Sequence, residues 1–213
     1  MERETILGQL CSKYPALSII REDIGEVAGM IINCYTKGGK LLICGNGGSS
    51  SDSEHIAGEL MKSFELPRPV GDKLKARLIE ISDVRGRELA VKLQQGLPAI
   101  SLSAHGALST AIINDIGADM IFAQQVAGYS NKNDILLGIS TSGNSQNIID
   151  ACITAKALDI KVIGFTGRTG GKLKQYCDLI IMAPGDSTAE IQELHLPIFH
   201  AICRIIENHF FKH

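Results

Sequence analysis

The sequence is short of the residues that nucleic-acid and membrane proteins use. Its 213 residues include no tryptophan, and aromatic residues make up only 5% of the chain, so we expect no platform on which bases could stack. The formal net charge is −2, and the lysines and arginines are scattered among acidic residues, which predicts no basic patch. No apolar run is long enough for a membrane span, and the first residues do not resemble a signal peptide. We therefore expect no nucleic-acid and no membrane partner.

The cysteines form no recognisable framework. There are six of them, none is spaced as C-x-x-C, and most lie within apolar runs. This usage is typical of reduced, buried thiols in a cytoplasmic protein.

Short apolar runs alternate with helical patterns along the chain. Each run is continuous rather than alternating, which is typical of strands covered on both faces. The predicted strands are Lys40–Cys44, Ala99–Ser103, Ile135–Ile139, Lys161–Thr166 and Leu179–Met182. The predicted helices after the first strand are Ser53–Phe64, Leu108–Val126, Asn147–Leu158 and about Ala189–Phe210. This order predicts an α/β fold, a three-layer α/β/α sandwich with a five-stranded parallel sheet in a flavodoxin-like order.

The length fits a single domain over residues 1–213. An N-terminal helical segment is predicted over about residues 1–37, where isoleucines and valines recur every three or four positions before Gly38 and Gly39. Residues from about 66 to 95 form an insertion that is rich in charge and interrupted by prolines. We expect a solvated excursion with one or two short helices there, although a lid or a contact element would have the same composition.

Two loops of small residues follow the first and third predicted strands. The first contains Asn46, Gly47, Gly48 and Ser49, and the second contains Ser140, Thr141, Ser142 and Ser145. In a flavodoxin-like order these two strands flank the point where ligands bind. Hydroxyl groups and backbone N–H groups before a helix N-terminus attract an anion, and neither loop has a cation of its own. The pair predicts a site for a phosphate monoester, whereas the plainer interpretation is that glycine and serine only form tight turns.

Four side chains are candidates for chemistry. His55 and Glu59 are four residues apart on the helix after the first loop, so they share a face. Gln192 and His200 lie in the last predicted helix, about 80° apart around it and about 12 Å apart along it. Such a set suits acid–base catalysis or a divalent metal such as zinc. Taken one at a time, each histidine is better explained as an ordinary surface or core residue.

These motifs together resemble the sedoheptulose 7-phosphate isomerases, or phosphoheptose isomerases, of the sugar-isomerase (SIS) superfamily. The resemblance rests on Gly45–Ser49, His55 with Glu59, Gly138–Ser145, Gly164–Gly167 and Ile191–His200, in the same order over nearly the whole chain. It implies a cytoplasmic homotetramer with active sites between subunits, and a single SIS domain.

The resemblance also implies roles for individual residues. Glu59 and His200 would be the acid–base pair, and His55, Glu59, Gln192 and His200 would hold one zinc ion per subunit. The remaining implied residues would bind the substrate: Asn46, Gly47, Gly48, Ser49, Asn114, Asp115, Ser140, Thr141, Ser142, Ser145 and also Gln192.

The implied reaction converts sedoheptulose 7-phosphate to D-glycero-D-manno-heptose 7-phosphate through an enediol. Two alternatives stay open: a non-catalytic SIS module that binds phosphosugars or proteins, and an isomerase for another sugar phosphate. The chain departs from the family in the long insertion and in Glu190, where many members have arginine. The metal and proton-transfer roles of His200 also compete, and the sequence does not decide between them.

Overall fold

Five parallel strands form one sheet in the computed structural model, which describes residues 3–212. Their bounds are β1 Leu41–Gly45, β2 Ala99–Ser101, β3 Ile135–Ile139, β4 Lys161–Gly167 and β5 Leu179–Ala183. The strand order is β2-β1-β3-β4-β5, and every neighbouring pair is parallel. The predicted fold class and the flavodoxin-like order are therefore confirmed, and β1 and β3 lie side by side with their carboxyl ends together.

Helices account for most of the remaining described residues. They are α1 Arg3–Lys13, α2 Arg21–Thr36, α3 Gly48–Met61, α4 Asp72–Ile81, α5 Asp83–Lys92, α6 Gly106–Asp115, α7 Ile121–Tyr129, α8 Gln146–Ala157 and α9 Thr188–Phe211. Short 3₁₀ turns lie at Pro15–Ile20, Ala118–Met120 and Lys172–Tyr176. None of the helices between residues 3 and 212 combines the length and apolar character that a bilayer span requires.

Two predicted helices were wrong in detail. The continuous helix over Leu108–Val126 is divided into α6 and α7, because Gly117 adopts φ +136° and breaks the helical path. The helix predicted to start at Ser53 begins at Gly48 instead. The residues of the first small-residue loop thus form the first turn of α3 and direct its N-terminus towards the end of β1.

Alternate residues of each strand face two separate apolar layers. Leu41 and Ile43 of β1 pack into a core shared with α1, α2, α3 and α9. Leu42 and Cys44 pack into a second core with α7 and α8. The chain therefore forms the predicted three layers, and α3 and α9, which carry the candidate catalytic residues, lie in the same layer.

The predicted N-terminal segment contains α1, a 3₁₀ turn and α2; its residues 1 and 2 lie outside the described part of the chain. The insertion forms a helical hairpin, α4 and α5, which pack against each other. Gly86 of α5 lies so close to α4 that an added Cβ would meet the Leu78 carbonyl oxygen at 2.0 Å. An antiparallel bridge between Pro69 and Gln94 brings the two ends of the hairpin together.

We expect removal of the hairpin to leave the fold intact, because it contributes little to either apolar core. A variant with residues 72–92 replaced by a short Gly-Ser linker should unfold within a few degrees of the full chain, since about 1 kcal/mol corresponds to about 2–4 °C at this size. Thermal unfolding followed by circular dichroism measures this. Loss of the cooperative transition would contradict the separation of the hairpin from the core.

Candidate active site

The first small-residue loop leaves the sheet at Gly45 and enters α3 within two residues. Gly45 must be glycine because an added Cβ would lie 2.4 Å from the Ser49 carbonyl oxygen. Gly47 has φ +55°, which glycine adopts without strain. This tight path points the first N–H groups of α3 to the carboxyl end of β1, where the helix dipole favours an anion.

The second loop is closed by its own hydrogen bonds. The hydroxyl groups of Ser140 and Ser145 lie 3.0 Å apart, and the Gly143 N–H donates to the Ser140 carbonyl oxygen at 2.9 Å. Gly143 has φ +65°, and a Cβ there would meet the Gly170 carbonyl oxygen at 2.2 Å. The loop therefore has little freedom, and its hydroxyl groups are fixed before anything binds.

The two loops are joined side by side. Asn46 of the first loop and Asn147 of α8 exchange two side-chain hydrogen bonds of 2.9 and 3.0 Å. Sequence reasoning missed Asn147, which carries no motif of its own and is recognisable only as the partner of Asn46. This pair of hydrogen bonds holds the N-termini of α3 and α8 in one relative position.

Together the loops and α9 enclose a cavity of about 260 Å³, which we call the serine pocket. Its walls include eight of the predicted substrate residues: Asn46, Gly47, Gly48, Ser49, Ser140, Thr141, Ser145 and Gln192. Thr188, at the start of α9, also lines it and was not predicted.

Three predicted residues lie elsewhere in this chain. Ser142 is exposed and accepts a hydrogen bond from the Asn144 N–H. Asn114 and Asp115 are exposed at the end of α6, where the Asn114 amide donates to Asp115 at 2.7 Å. None of the three lines the serine pocket.

Glu190 has a structural role at the N-terminus of α9. Its carboxylate accepts the backbone N–H groups of Asp186 at 2.8 Å and Ser187 at 3.1 Å. The Ser187 hydroxyl in turn accepts the Glu190 N–H, which completes a capping box at the N-terminus of α9. These hydrogen bonds lower the pKa of Glu190.

The histidines and Glu59 meet further along α3 and α9. Nε2 of His55 lies 3.2 Å and Nε2 of His200 lies 3.1 Å from the same oxygen, Oε1 of Glu59. Glu59 is only 5% exposed, whereas both imidazoles reach solvent. We call these three residues the His/Glu cluster.

Burial shifts the pKa values of Glu59 and His200. Desolvation raises the pKa of Glu59 to about 7, although a contact with the Cys203 thiol and the charge of Lys62 act in the opposite direction. Desolvation, followed by the charge of His55, lowers the pKa of His200. Near neutral pH, Glu59 is therefore suited to exchange a proton, and His200 is a neutral imidazole.

The cluster has the donor set of a metal site. The three ligand atoms lie within 4.8 Å of one another. Among residues 3–212, both carboxylate oxygens of Glu59 and Nε2 of His200 are buried without a conventional hydrogen-bond partner. Unsatisfied buried acceptors are costly, and two imidazoles with one carboxylate suit a divalent ion such as zinc. The residues present therefore fit a metal ion.

The serine pocket and the His/Glu cluster lie along the same two helices. Gly48 at the start of α3 lies so close to Gln192 of α9 that a Cβ there would meet Nε2 of Gln192 at 2.6 Å. Glu59 and His200 then meet about 16 Å further along α3 and about 12 Å further along α9. The two sites thus lie at different points along the same two helices, with Gln192 at the pocket end, and His200 itself lines a second cavity beside Phe64 and Arg204.

Comparison with known proteins agrees with this geometry. A family model described as "SIS domain" matches residues 85–167, and the fold and serine pocket define the chain as a SIS-domain protein. A phosphoheptose isomerase from Helicobacter pylori (strain P12) is 39% identical over 195 residues, covering 92% of this chain and 88% of the relative. One from Clostridium acetobutylicum is 38% identical, covering 89% and 84%.

Solved structures give the same result. The phosphoheptose isomerase from Francisella tularensis has a TM-score of 0.76 and 35% identity, and that from Neisseria gonorrhoeae has a TM-score of 0.73 and 34% identity. Each comparison covers 92% of this chain and 91% of the other. The chain belongs to the phosphoheptose isomerase family, and it is an isomerase.

The metal site predicts a clear contrast between two neighbouring carboxylates. Full-length protein stripped of metal should bind one Zn²⁺ per chain, and Glu59→Gln should weaken that binding by at least about tenfold because a charged ligand is lost. Isothermal titration calorimetry measures both. Glu54→Gln, an exposed position on the same helix, is the matched control and should bind as the wild type does. Equal affinity in all three proteins would exclude Glu59 as a ligand.

Proposed function

We propose that this chain interconverts sedoheptulose 7-phosphate and D-glycero-D-manno-heptose 7-phosphate through an enediol. The observation that carries the proposal is the pairing of a desolvated carboxylate and an imidazole, Glu59 and His200, on the two helices whose N-terminal ends line the serine pocket. Family membership supports the substrate class, since the relatives are named phosphoheptose isomerases.

The separation of the serine pocket from the His/Glu cluster supports a long substrate. In a ketoheptose 7-phosphate the phosphate and the carbonyl lie near opposite ends of the carbon chain. With the phosphate held by Ser140, Thr141 and Ser145, the carbonyl end extends along α3 and α9 towards Glu59. Shorter sugar phosphates bind the same pocket but reach the cluster less well, so turnover should fall from heptulose to hexulose to pentulose phosphates.

Each chain residue has a defined task in this reaction. The serine hydroxyls and helix N-termini hold the phosphate and supply positioning, which lowers the entropic barrier. Glu59 removes the proton from the carbon next to the carbonyl, exchanges it with solvent, and delivers a proton to the former carbonyl carbon. His200 exchanges a proton with the oxygens. General acid–base catalysis of this kind contributes about 10²–10⁴-fold.

We infer that the metal is zinc, one per subunit, held by His55, Glu59 and His200. Gln192 remains a proposed fourth ligand; its amide lies against Gly48, so its side chain would have to turn from the serine pocket to reach the ion. When bound, such an ion would supply Lewis acidity that polarises the sugar carbonyl, in place of proton transfer by His200, because a ligating imidazole nitrogen carries no proton.

We also propose a cytoplasmic homotetramer with active sites between subunits. The support is at the end of α6, where Ile113 and Ile116 are 46% and 57% exposed and flank Asn114 and Asp115. Apolar side chains of this kind suit burial against another copy. That contact would bring the Asn-Asp pair to a neighbouring subunit's serine pocket, which explains why the pair does not line its own.

Two substitutions, one in the His/Glu cluster and one in the serine pocket, should change different kinetic parameters. Glu59→Gln should lower kcat by about 10²–10⁴-fold with little change in KM, because the base is lost and the phosphate site is intact. Ser140→Ala should mainly raise KM, by about tenfold, because it removes a hydrogen bond to a charged group. Steady-state assays with sedoheptulose 7-phosphate measure both parameters.

Wild-type turnover by Glu59→Gln would exclude Glu59 as the base. If the wild-type protein binds the sugar phosphate without producing an aldose, the non-catalytic binding module is the better assignment.

The intersubunit site predicts complementation between two inactive variants. Glu59→Gln and Asp115→Ala homotetramers, mixed after dissociation and reassembled, should recover about a quarter of wild-type activity, because about a quarter of random interfaces then combine two intact halves. Each variant reassembled alone is the control. Mixtures that stay as inactive as the separate variants would place Glu59 and Asp115 in the same subunit's site, or Asp115 outside any site.

A further inference from the structure

A fully buried ion pair lies next to the His/Glu cluster and has no part in the proposed chemistry. Nε of Arg68 donates to Oε1 of Glu207 at 2.7 Å, and both side chains are 0% exposed. Burying two charges is costly, and apolar residues of similar size often stabilise a fold equally well. Stability alone therefore does not account for the Arg68–Glu207 pair.

The guanidinium of Arg68 binds the end of α3. Nη1 donates to the Leu60 carbonyl oxygen at 2.8 Å, and Nη2 donates to the carbonyl oxygen of Glu59 itself at 3.1 Å. These carbonyls belong to the last turn of the helix, which has no intrahelical donors for them. Arg68 thus fixes the backbone of the residue whose carboxylate is the proposed base.

The carboxylate of Glu207 binds the chain that follows α3. It accepts the backbone N–H groups of Phe64 at 2.9 Å, Glu65 at 2.9 Å and Leu66 at 3.1 Å. With Arg68 it has four donors, so its charge is well compensated. The segment after α3 is therefore attached to α9 mainly through the Glu207 carboxylate, beside a more exposed contact from Arg204 to the Glu65 carboxylate at 2.8 Å.

Helical geometry connects this attachment to His200. Glu207 follows His200 by seven residues, so the two side chains lie on the same face of α9, about 10.5 Å apart along it. One meets the Glu59 carboxylate, and the other holds the chain just beyond Glu59. The guanidinium also lies over the ring of Phe211, 4.6 Å from its centroid, which limits its movement.

We propose that the Arg68–Glu207 ion pair is a positioning device that sets the register of α3 against α9, and so places Glu59 opposite His200. The proposal rests on the proposed function. Neither residue belongs to the serine pocket or the His/Glu cluster; Arg68 acts through the backbone of α3 and Glu207 through the chain that follows it. Residues that orient metal ligands indirectly typically affect metal affinity or activity by 10–100-fold.

The test compares Co²⁺ affinity and steady-state kinetics in full-length variants. Arg68→Lys keeps the charge but cannot serve three acceptors in one plane, and the double variant Arg68→Met/Glu207→Leu leaves no buried charge. Each should bind Co²⁺ about 10–100-fold more weakly, with an altered visible spectrum of the bound ion, and should lose kcat by a similar factor. KM should stay unchanged because the serine pocket is at the other end of α3.

A second ion pair in the chain, between a partly buried lysine and a buried aspartate, provides the control. Lys40 and Asp134 are 2.5 Å apart, and Asp134 also accepts the backbone N–H groups of Lys40 and Asn131. This pair joins the amino ends of β1 and β3, away from the His/Glu cluster. Lys40→Met/Asp134→Leu should lower the unfolding temperature while leaving Co²⁺ affinity and kcat as in the wild type.

The outcomes separate the two proposals. Folded Arg68 variants with wild-type Co²⁺ affinity and kcat would overturn positioning and leave the proposed function standing. A wild-type protein that neither binds Co²⁺ nor isomerises sugar phosphate would remove both. If Arg68→Lys does not fold, the double variant decides, and failure of both to fold would make the pair a folding requirement and overturn the proposal.

Discussion

The packing of α3 against α9 is the contact on which the rest of the site depends. Both helices begin at the serine pocket, where Gly48 is in close contact with Gln192. Both reach the His/Glu cluster, where His200 lies 3.1 Å from Glu59. Because one helix supplies the carboxylate and the other the imidazole, a shift of either helix along its axis would separate the reacting groups, and the side chains that both helices contribute to the first apolar core oppose such a shift.

This arrangement concentrates unfavourable contributions to the free energy of folding at the His/Glu cluster, where the proposed chemistry occurs. Glu59 is buried with carboxylate oxygens that lack conventional donors, and its pKa rises to about 7 through desolvation. A group in this state destabilises the folded subunit unless a metal ion or substrate satisfies it. The surrounding structure offsets that cost through features that fix the backbone, such as the capping box at Glu190 and the hydrogen bonds of Arg68. Glu59 departs from the rule that buried polar atoms are hydrogen-bonded, whereas the capping box and Arg68 around it follow that rule.

Sequence periodicity predicted the sheet and the pocket because both depend on local patterns. Continuous apolar runs such as Ile135–Ile139 identify buried strands, and loops after β1 and β3 must meet at one edge. Helix spacing places Gln192 and His200 about 12 Å apart along α9 and gives no distance from His200 to Glu59 on another helix. The contact of His200 with Glu59 could therefore be inferred only from the family resemblance. Arg68 and Glu207 are 139 residues apart, and no periodicity connects them. The break at Gly117 depends on one backbone angle that propensity does not specify.

Proton transfer at the carbon next to the sugar carbonyl is the event that all of these features serve. The most direct measurement is NMR of sedoheptulose 7-phosphate incubated with the protein in D₂O. An enediol formed by Glu59 predicts a new aldose 7-phosphate with deuterium at C2, and slow exchange of a C1 proton in the remaining ketose. A sugar phosphate that stays a ketose, with both C1 protons retained over many hours at high protein concentration, would contradict the proposed isomerase chemistry.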